Sequence, residues 1–274
     1  MLSLAKPAKM AVHPPPFFIL GCVRSGTTML RNVLREHPNL ACPEETHFFR
    51  WASPFGTIDY TRAVTESPVL KKHRAMDGVS EEEFQSLLKT SRSRQQLMRR
   101  YMELFVSRKK PSANRWFDKT PQNVYGAALL LDAFPGAKIV HIVRNPCDVV
   151  ASLKIGRLIK VDDIVGASNY WNEAVSIVNV LRRTNSARVH EVRYEDYVLE
   201  PERCTNEILT FVGENPANGM YSYQKISAKS HQDDGTLTPE NVELVKRLCR
   251  RWGVHYGYFS KEVAAASMVT TQPQ

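Results

Sequence analysis

FFILGCVRSGTT, residues 17 to 28, is the stretch whose reading sets the rest of the chain. Phe17 to Leu20 form a continuous apolar run bounded by Pro16 and Gly21, which predicts a short strand covered on both faces. Gly21-Cys22-Val23-Arg24-Ser25-Gly26 then makes a loop that runs straight into a helix predicted over residues 27–37. That helix carries Met29, Leu30, Val33 and Leu34 at helical spacing and stops before Pro38. A strand, a glycine loop and a helix start together make an anion site. The first N–H groups of the helix have no internal partner, and the helix dipole favours negative charge there.

The spacing Gly21-x-x-x-x-Gly26 is that of a phosphate loop, but Thr27-Thr28 stand where an ATPase carries Lys and then Ser or Thr. In ATP enzymes that lysine reaches the β- and γ-phosphates. Here the cation, Arg24, lies inside the loop, which suits a 5′-phosphate bearing a further group better than a nucleoside triphosphate. The loop by itself does not separate this reading from a plain glycine turn at a helix cap.

Three further segments bear on the same region. Glu44 and Glu45 follow a short extended piece and precede Phe48-Phe49-Arg50-Trp51, and by charge alone they read as a solvated acidic turn. Arg115 to Asp118 reads as a strand, with Thr120 as cap and Pro121 as first residue of the next helix, so Lys119 falls where a strand end meets a helix start. Lys138 to Val143 is the clearest buried strand, ended by Arg144. Asn145 caps the helix that follows, with Pro146 at its first position. Arg144 and Ser152 can both approach one anion near the end of that strand. Two anion sites on neighbouring strand ends suit a ligand with two separate anionic groups.

These segments resemble the sulfotransferases that use 3′-phosphoadenosine 5′-phosphosulfate (PAPS), and most nearly the tyrosylprotein sulfotransferase branch, where Arg occupies the loop position corresponding to Arg24. The resemblance is loose over residues 17–259 and tight over 21–47, 118–121 and 139–152. It implies a P-loop NTPase-like sulfotransferase fold, an α/β architecture with a central parallel β-sheet and helices on both faces. It also implies transfer of a sulfuryl group from PAPS to a hydroxyl or amine. By motif match Glu45 is the catalytic base, with His47 as runner-up because the cytosolic enzymes use a histidine. Lys119 falls on the leaving group, and Arg24, Ser25, Gly26, Thr27 and Thr28 hold the 5′ end. Arg144 and Ser152 hold the 3′-phosphate, and Tyr194, in Arg193-Tyr194-Glu195-Asp196, lies by the adenine. The Arg-Lys-Gly triplet that completes the 3′ site in cytosolic members is missing, leaving Lys229, Ser230 and Arg250 as candidates. The fixed cations can take the place of Mg²⁺, so no metal is expected.

Composition bounds the rest. A chain of 274 residues can bury a full core, and one domain over residues 17–259 is expected, with flexible ends at 1–16 and 260–274. A net charge of +9 calls for an acidic partner, met by a doubly phosphorylated nucleotide; no motif supports nucleic acid. Five cysteines without a C-x-x-C pair point to a reducing compartment. Residues 1–16 lack the apolar core of a signal peptide and no later run is long enough to span a membrane. The expectation is a cytoplasmic protein, so the peptide substrate of the Golgi-anchored branch is not carried over.

Residues 52–79 have weak periodicity, broken by Pro54, Gly56, Pro68 and Gly78, and read as an irregular substrate-side insertion or lid. Ser80 to Glu83 forms a capping box for a helix carrying Phe84, Leu87 and Leu88, followed by a basic amphipathic helix over 95–110. A long helix over 161–183 is expected to turn Ile164, Val165, Trp171, Val175 and Val178 inward, ahead of a strand over 189–196. Helices over 201–212 and 239–251 end the pattern. Nothing distinguishes a small-molecule, carbohydrate or peptide acceptor, and oligomeric state is not legible. A kinase with a modified loop and a non-catalytic nucleotide-binding module remain the alternatives; the first would need ATP and Mg²⁺.

Overall fold

The computed structural model describes residues 14–156, 159–217, 220 and 235–260. Its frame is a parallel sheet of β1 (Phe17–Leu20), β2 (Leu40–Ala41), β3 (Arg115–Lys119), β4 (Lys138–Val143) and β5 (Val189–Arg193), in the order β2-β3-β1-β4-β5. The FFIL run thus occupies the central strand. Ile19 stands in register with Lys119 on one side and Val140 on the other, so the carboxyl ends of β1, β3 and β4 lie side by side.

Helices α1 (Thr27–Arg35), α2 (Ile58–Thr65), α3 (Pro68–Asp77), α4 (Glu81–Thr90) and α5 (Arg94–Lys109) precede β3. A 3₁₀ turn (Pro121–Gly126) and α6 (Ala127–Ala133) lead to β4, and α7 (Pro146–Lys154) and α8 (Ile164–Thr184) to β5. The chain continues through α9 (Tyr194–Leu199), α10 (Pro201–Val212), α11 (Pro239–Leu248) and α12 (Arg250–His255).

The pleat of β1 sorts the core into two layers. Phe17 and Ile19 pack with Phe117, Val140 and Ile142 beneath Leu30 and Leu34 of α1 and Ile208 and Leu209 of α10. Phe18 and Leu20 face the opposite layer, with Leu97 of α5, Leu130 of α6, Val150 of α7 and Trp171 of α8. Successive strand residues point to opposite faces, so an unbroken apolar run is what a strand covered on both faces requires.

Four expectations are corrected. Residues 52–79 are not irregular: they hold α2 and α3. Thr57 Oγ1 accepts from the Tyr60 N–H and Ser67 Oγ from the Leu70 N–H, Pro68 opens α3 at its first position, and Gly78 (φ 76°) closes it. Pro68 and Gly78 begin and end a helix rather than break one. Thr120 makes no side-chain cap, because its hydroxyl is engaged with Asp118 and Thr46. The strand expected over 189–196 ends at Arg193, and Tyr194 starts α9. Val165 is 44% exposed and faces outward, the long helix beginning at Ile164 behind an Asp163 cap. The capping box at Ser80 and Glu83 forms as expected. Among the described residues no helix is long and apolar enough to cross a membrane.

Candidate active site

The loop after β1 takes a backbone path that only certain residues tolerate. Gly21 (φ 143°), Arg24 (φ 68°) and Gly26 (φ 91°) all lie at positive φ. A Cβ on Gly26 would meet the Tyr194 ring at 2.5 Å, so glycine is required there both for conformation and for space. Gly26 is the N-cap of α1 and supplies no side-chain acceptor; no acidic residue sits in the first turn. The helix therefore presents its first N–H groups with its positive dipole end uncompensated. Ser25 Oγ is buried there without a hydrogen-bond partner among the described residues.

Across from the loop, the end of β3 meets the turn at residues 44–47. The adjacent carboxylates divide their tasks. Glu44 is held by Arg31 at 2.6 Å and Arg35 at 3.1 Å, and its N–H donates to Asp77, so it fastens the turn to α1 and α3. Glu45 turns the other way. Its Oε1 accepts a hydrogen bond from Lys119 Nζ, and its Oε2 lies 3.3 Å from His47 Nε2. Lys119 Nζ also donates to Thr28 Oγ1 at 3.3 Å, joining the carboxylate to the start of α1. Burial by itself would raise the Glu45 carboxyl; the His47 hydrogen bond and the Lys119 charge outweigh it and hold the group at about 2. Burial pushes the His47 imidazole down against the pull of Glu45, leaving it neutral at pH 7. Of the charges that lower Glu45, Lys119 contributes first and His47 after it. His47 itself sits at φ 57°, and its Nδ1 is buried without a partner among the described residues.

On the far side of β1, the end of β4 gathers the other cations. Arg24 Nε donates to Ser152 Oγ at 2.9 Å, although 128 positions separate them, so the loop leans onto α7. Arg144 is buried, donates to the Arg24 carbonyl at 3.3 Å, and lies over the Tyr194 ring at 4.3 Å. Asn145 caps α7 by accepting from the Cys147 N–H.

The expected residues therefore fall into two linked groups at the ends of three neighbouring strands. Glu45, His47, Lys119 and Thr28 form one; Arg24, Arg144, Ser152 and Tyr194 form the other. Arg24 is engaged with Ser152 rather than with the Lys119 group. Ser25 and Gly26 lie between, and Thr27 is buried at the first turn of α1. Arg250 opens α12, which packs on α8 and α11; Lys229 and Ser230 lie outside the described residues. Several participants were not anticipated. Asp118, Thr46 and Asn123 form a buried network under the turn, and His73 of α3 approaches the Glu45 carbonyl at 3.1 Å. His73 lies on α3, within the segment whose sequence pattern reads as irregular. Among the described residues no group of three His, Cys, Asp or Glu side chains is placed to hold a metal ion.

The profile of the sulfotransferase family matches residues 15–216, which contain every residue of both groups. Protein-tyrosine sulfotransferase 1 of Danio rerio is 25% identical over 248 residues, covering 85% of this chain and 65% of its own. An omega-hydroxy-beta-dihydromenaquinone-9 sulfotransferase, Stf3 of Mycobacterium tuberculosis, is 24% identical over 75% of this chain and 64% of its own. The chain spans 46% of the length of the protein-tyrosine sulfotransferase of Drosophila melanogaster, so it covers under two thirds of these relatives. In fold, the sulfotransferase domain of the Synechococcus PCC 7002 olefin synthase superposes with a TM-score of 0.61, over 90% of this chain and 91% of that domain, at 23% identity. By the extent of the profile match and the kinship to the protein-tyrosine enzymes, the chain belongs to the sulfotransferase family, near its protein-tyrosine branch.

Proposed function

We propose that the chain moves a sulfuryl group from PAPS to an acceptor hydroxyl or amine, with Glu45 as base. The observation that carries this reading is the hydrogen-bonded chain Glu45–Lys119–Thr28, which joins a carboxylate, a buried cation and the start of α1 at one sheet edge. The residues present suit the nucleotide. The orphaned Ser25 hydroxyl, the uncapped first turn of α1 and Thr28 would take the 5′ end, and Arg144 and Ser152 the 3′-phosphate. Tyr194, packed under Arg144 and against Gly26, would support both sites from beneath.

When bound, PAPS supplies a sulfuryl group on a 5′-phosphate oxygen; the acceptor–sulfur bond forms as that bond breaks, leaving 3′,5′-adenosine bisphosphate. Glu45 takes the proton the acceptor must lose. While Lys119 sits on it, Glu45 is a weak base. The lysine stem lets Nζ swing towards an anion at Thr28, which stabilises charge on the departing oxygen and returns basicity to Glu45. The loop N–H groups add to that stabilisation, and Arg24 would join them on leaving Ser152, so the chain contributes mainly orientation and fixed charge. All five thiols are unpaired and buried, which supports a place in the reducing cytoplasm.

Thermal unfolding tests the reading. Ligand at 100 times its dissociation constant adds about 2.7 kcal/mol, a rise of several degrees at roughly 2–4 °C per kcal/mol. The expected result is a metal-independent shift with 3′,5′-adenosine bisphosphate that exceeds the shift with adenosine 5′-phosphate. A shift only with ATP and Mg²⁺ would indicate a kinase, and none with any nucleotide would defeat the assignment. Ser152→Ala should weaken the bisphosphate selectively, by ~1.5–3 kcal/mol if a hydrogen bond to a charged group is lost. Equal losses for the bisphosphate and adenosine 5′-phosphate would refute the two-site arrangement.

A further inference from the structure

Asp118 is fully buried one residue before Lys119, and its carboxylate is bonded to Thr46, Thr120 and Asn123 rather than to a side chain of either group. Its Oδ1 accepts from Thr46 Oγ1 at 3.0 Å and Thr120 Oγ1 at 3.1 Å, and its Oδ2 from Asn123 Nδ2 at 3.0 Å. Those bonds fix where the partners point their other atoms. Thr120 Oγ1, its hydrogen committed to Asp118, accepts the Thr46 N–H at 2.9 Å. Asn123, its amide nitrogen committed likewise, offers Oδ1 to the Phe49 N–H at 3.1 Å. The two anchored N–H groups flank His47, whose φ of 57° is a conformation a non-glycine residue keeps only under restraint. Consecutive residues of β3 thus grip consecutive residues of the turn: Lys119 holds Glu45 and Asp118 holds Thr46.

We propose that Asp118 is a positioning residue for the transfer reaction, fixing the turn that carries Glu45 and His47 against the strand end that carries Lys119. The inference rests on Glu45 being the base.

The three partners all come to Asp118 as donors, so the carboxylate serves them only while ionised. Burial lifts Asp118 to about 6, the Thr46 and Thr120 hydrogen bonds opposing it; the facing Glu45 raises it further and Lys119 lowers it. Cys42 and Tyr101, the other titratable groups close by, stay protonated at neutral pH, the thiol pushed up to about 12 by burial and the phenol raised likewise. Protonation puts a hydrogen among three donors, one bond is lost, and the turn loosens. Turnover should therefore fall as pH drops through about 6, while Glu45 itself remains ionised.

The test compares the unaltered chain with Asp118→Asn, Thr46→Val and Glu45→Gln. Hydrogen exchange of the Thr46 and Phe49 amides is followed from pH 5 to 8, together with kcat and KM for PAPS using 4-nitrophenol as acceptor. In the unaltered chain, protection of both amides beyond the intrinsic pH effect should fall below about pH 6. In Asp118→Asn it should be low and flat, with kcat down ~10–100-fold for a misplaced reacting group and KM unchanged. Thr46→Val keeps the carboxylate and should lower kcat in the same direction, which serves if Asp118→Asn does not fold. Amide exchange needs no acceptor and decides the matter alone if 4-nitrophenol is not turned over. Protection in Asp118→Asn that matches the unaltered chain at every pH would overturn the proposal. If instead Glu45→Gln retains turnover, the reading of the base fails, and exchange still reports on Asp118 separately.

Discussion

Glu45→Gln should abolish transfer, lowering kcat by ~10²–10⁴-fold, the range for loss of a general base, while 3′,5′-adenosine bisphosphate binds as before. Glutamine matches the glutamate in shape and can still accept the Lys119 hydrogen bond through its carbonyl oxygen, but it has no site for the acceptor proton. Ser25, Arg144 and Ser152, the residues proposed to hold the nucleotide, are not among the Glu45 partners. A split between turnover and binding is thus the specific outcome, measurable by single-turnover kinetics beside calorimetric titration. His47→Ala tests the rival assignment. The imidazole is neutral and lies 3.3 Å from Glu45, so it is close enough to steer that carboxylate. Its loss should cost less than the loss of Glu45. Were His47→Ala inert and Glu45→Gln active, the base would be the histidine.

The parts legible in the sequence share a short range. The strand β1, its loop and α1 lie within residues 17–35, and glycine spacing, apolar runs and the stop before Pro38 are local signals. The same holds for β4, Asn145 and Pro146. The hidden parts are bonds between distant segments. Nothing near Arg24 announces Ser152, and nothing in Glu44-Glu45 says which carboxylate is spent on Arg31 and Arg35 and which faces Lys119. Asp118 read as an ordinary strand residue because its importance comes from Thr46, 72 positions away. Residues 52–79 differ in kind. Ser67-Pro68 and Gly78 are legible as a helix start and stop, but the apolar pattern between them is thin: Leu70 is the buried apolar residue of α3.

Lys119→Met bears on both halves of the site. The lysine is 2% exposed and is the cation bonded both to Glu45 and to Thr28. Methionine keeps much of its volume and apolar stem, so the change removes charge more than packing. Loss of one preorganised group at the departing oxygen costs ~10²–10³ in kcat. Lys119→Arg should not restore it, since a planar fork cannot occupy the place of a compact ammonium between a carboxylate and a hydroxyl. The same substitution predicts a pH-dependent stability difference. Glu45 is held at about 2 against an ordinary 4.5, so its ion pair stabilises the fold above the ordinary value and loses that effect as pH falls towards 2. With Lys119 removed, its charge and hydrogen bond no longer oppose burial, and the carboxyl rises. The gap in melting temperature between the unaltered chain and Lys119→Met should be widest near neutral pH and narrow as pH falls from 4.5 towards 2. A constant gap would mean that something other than Lys119 keeps Glu45 ionised. Near-normal kcat would remove Lys119 from the reaction and leave it as a tie between the turn and α1.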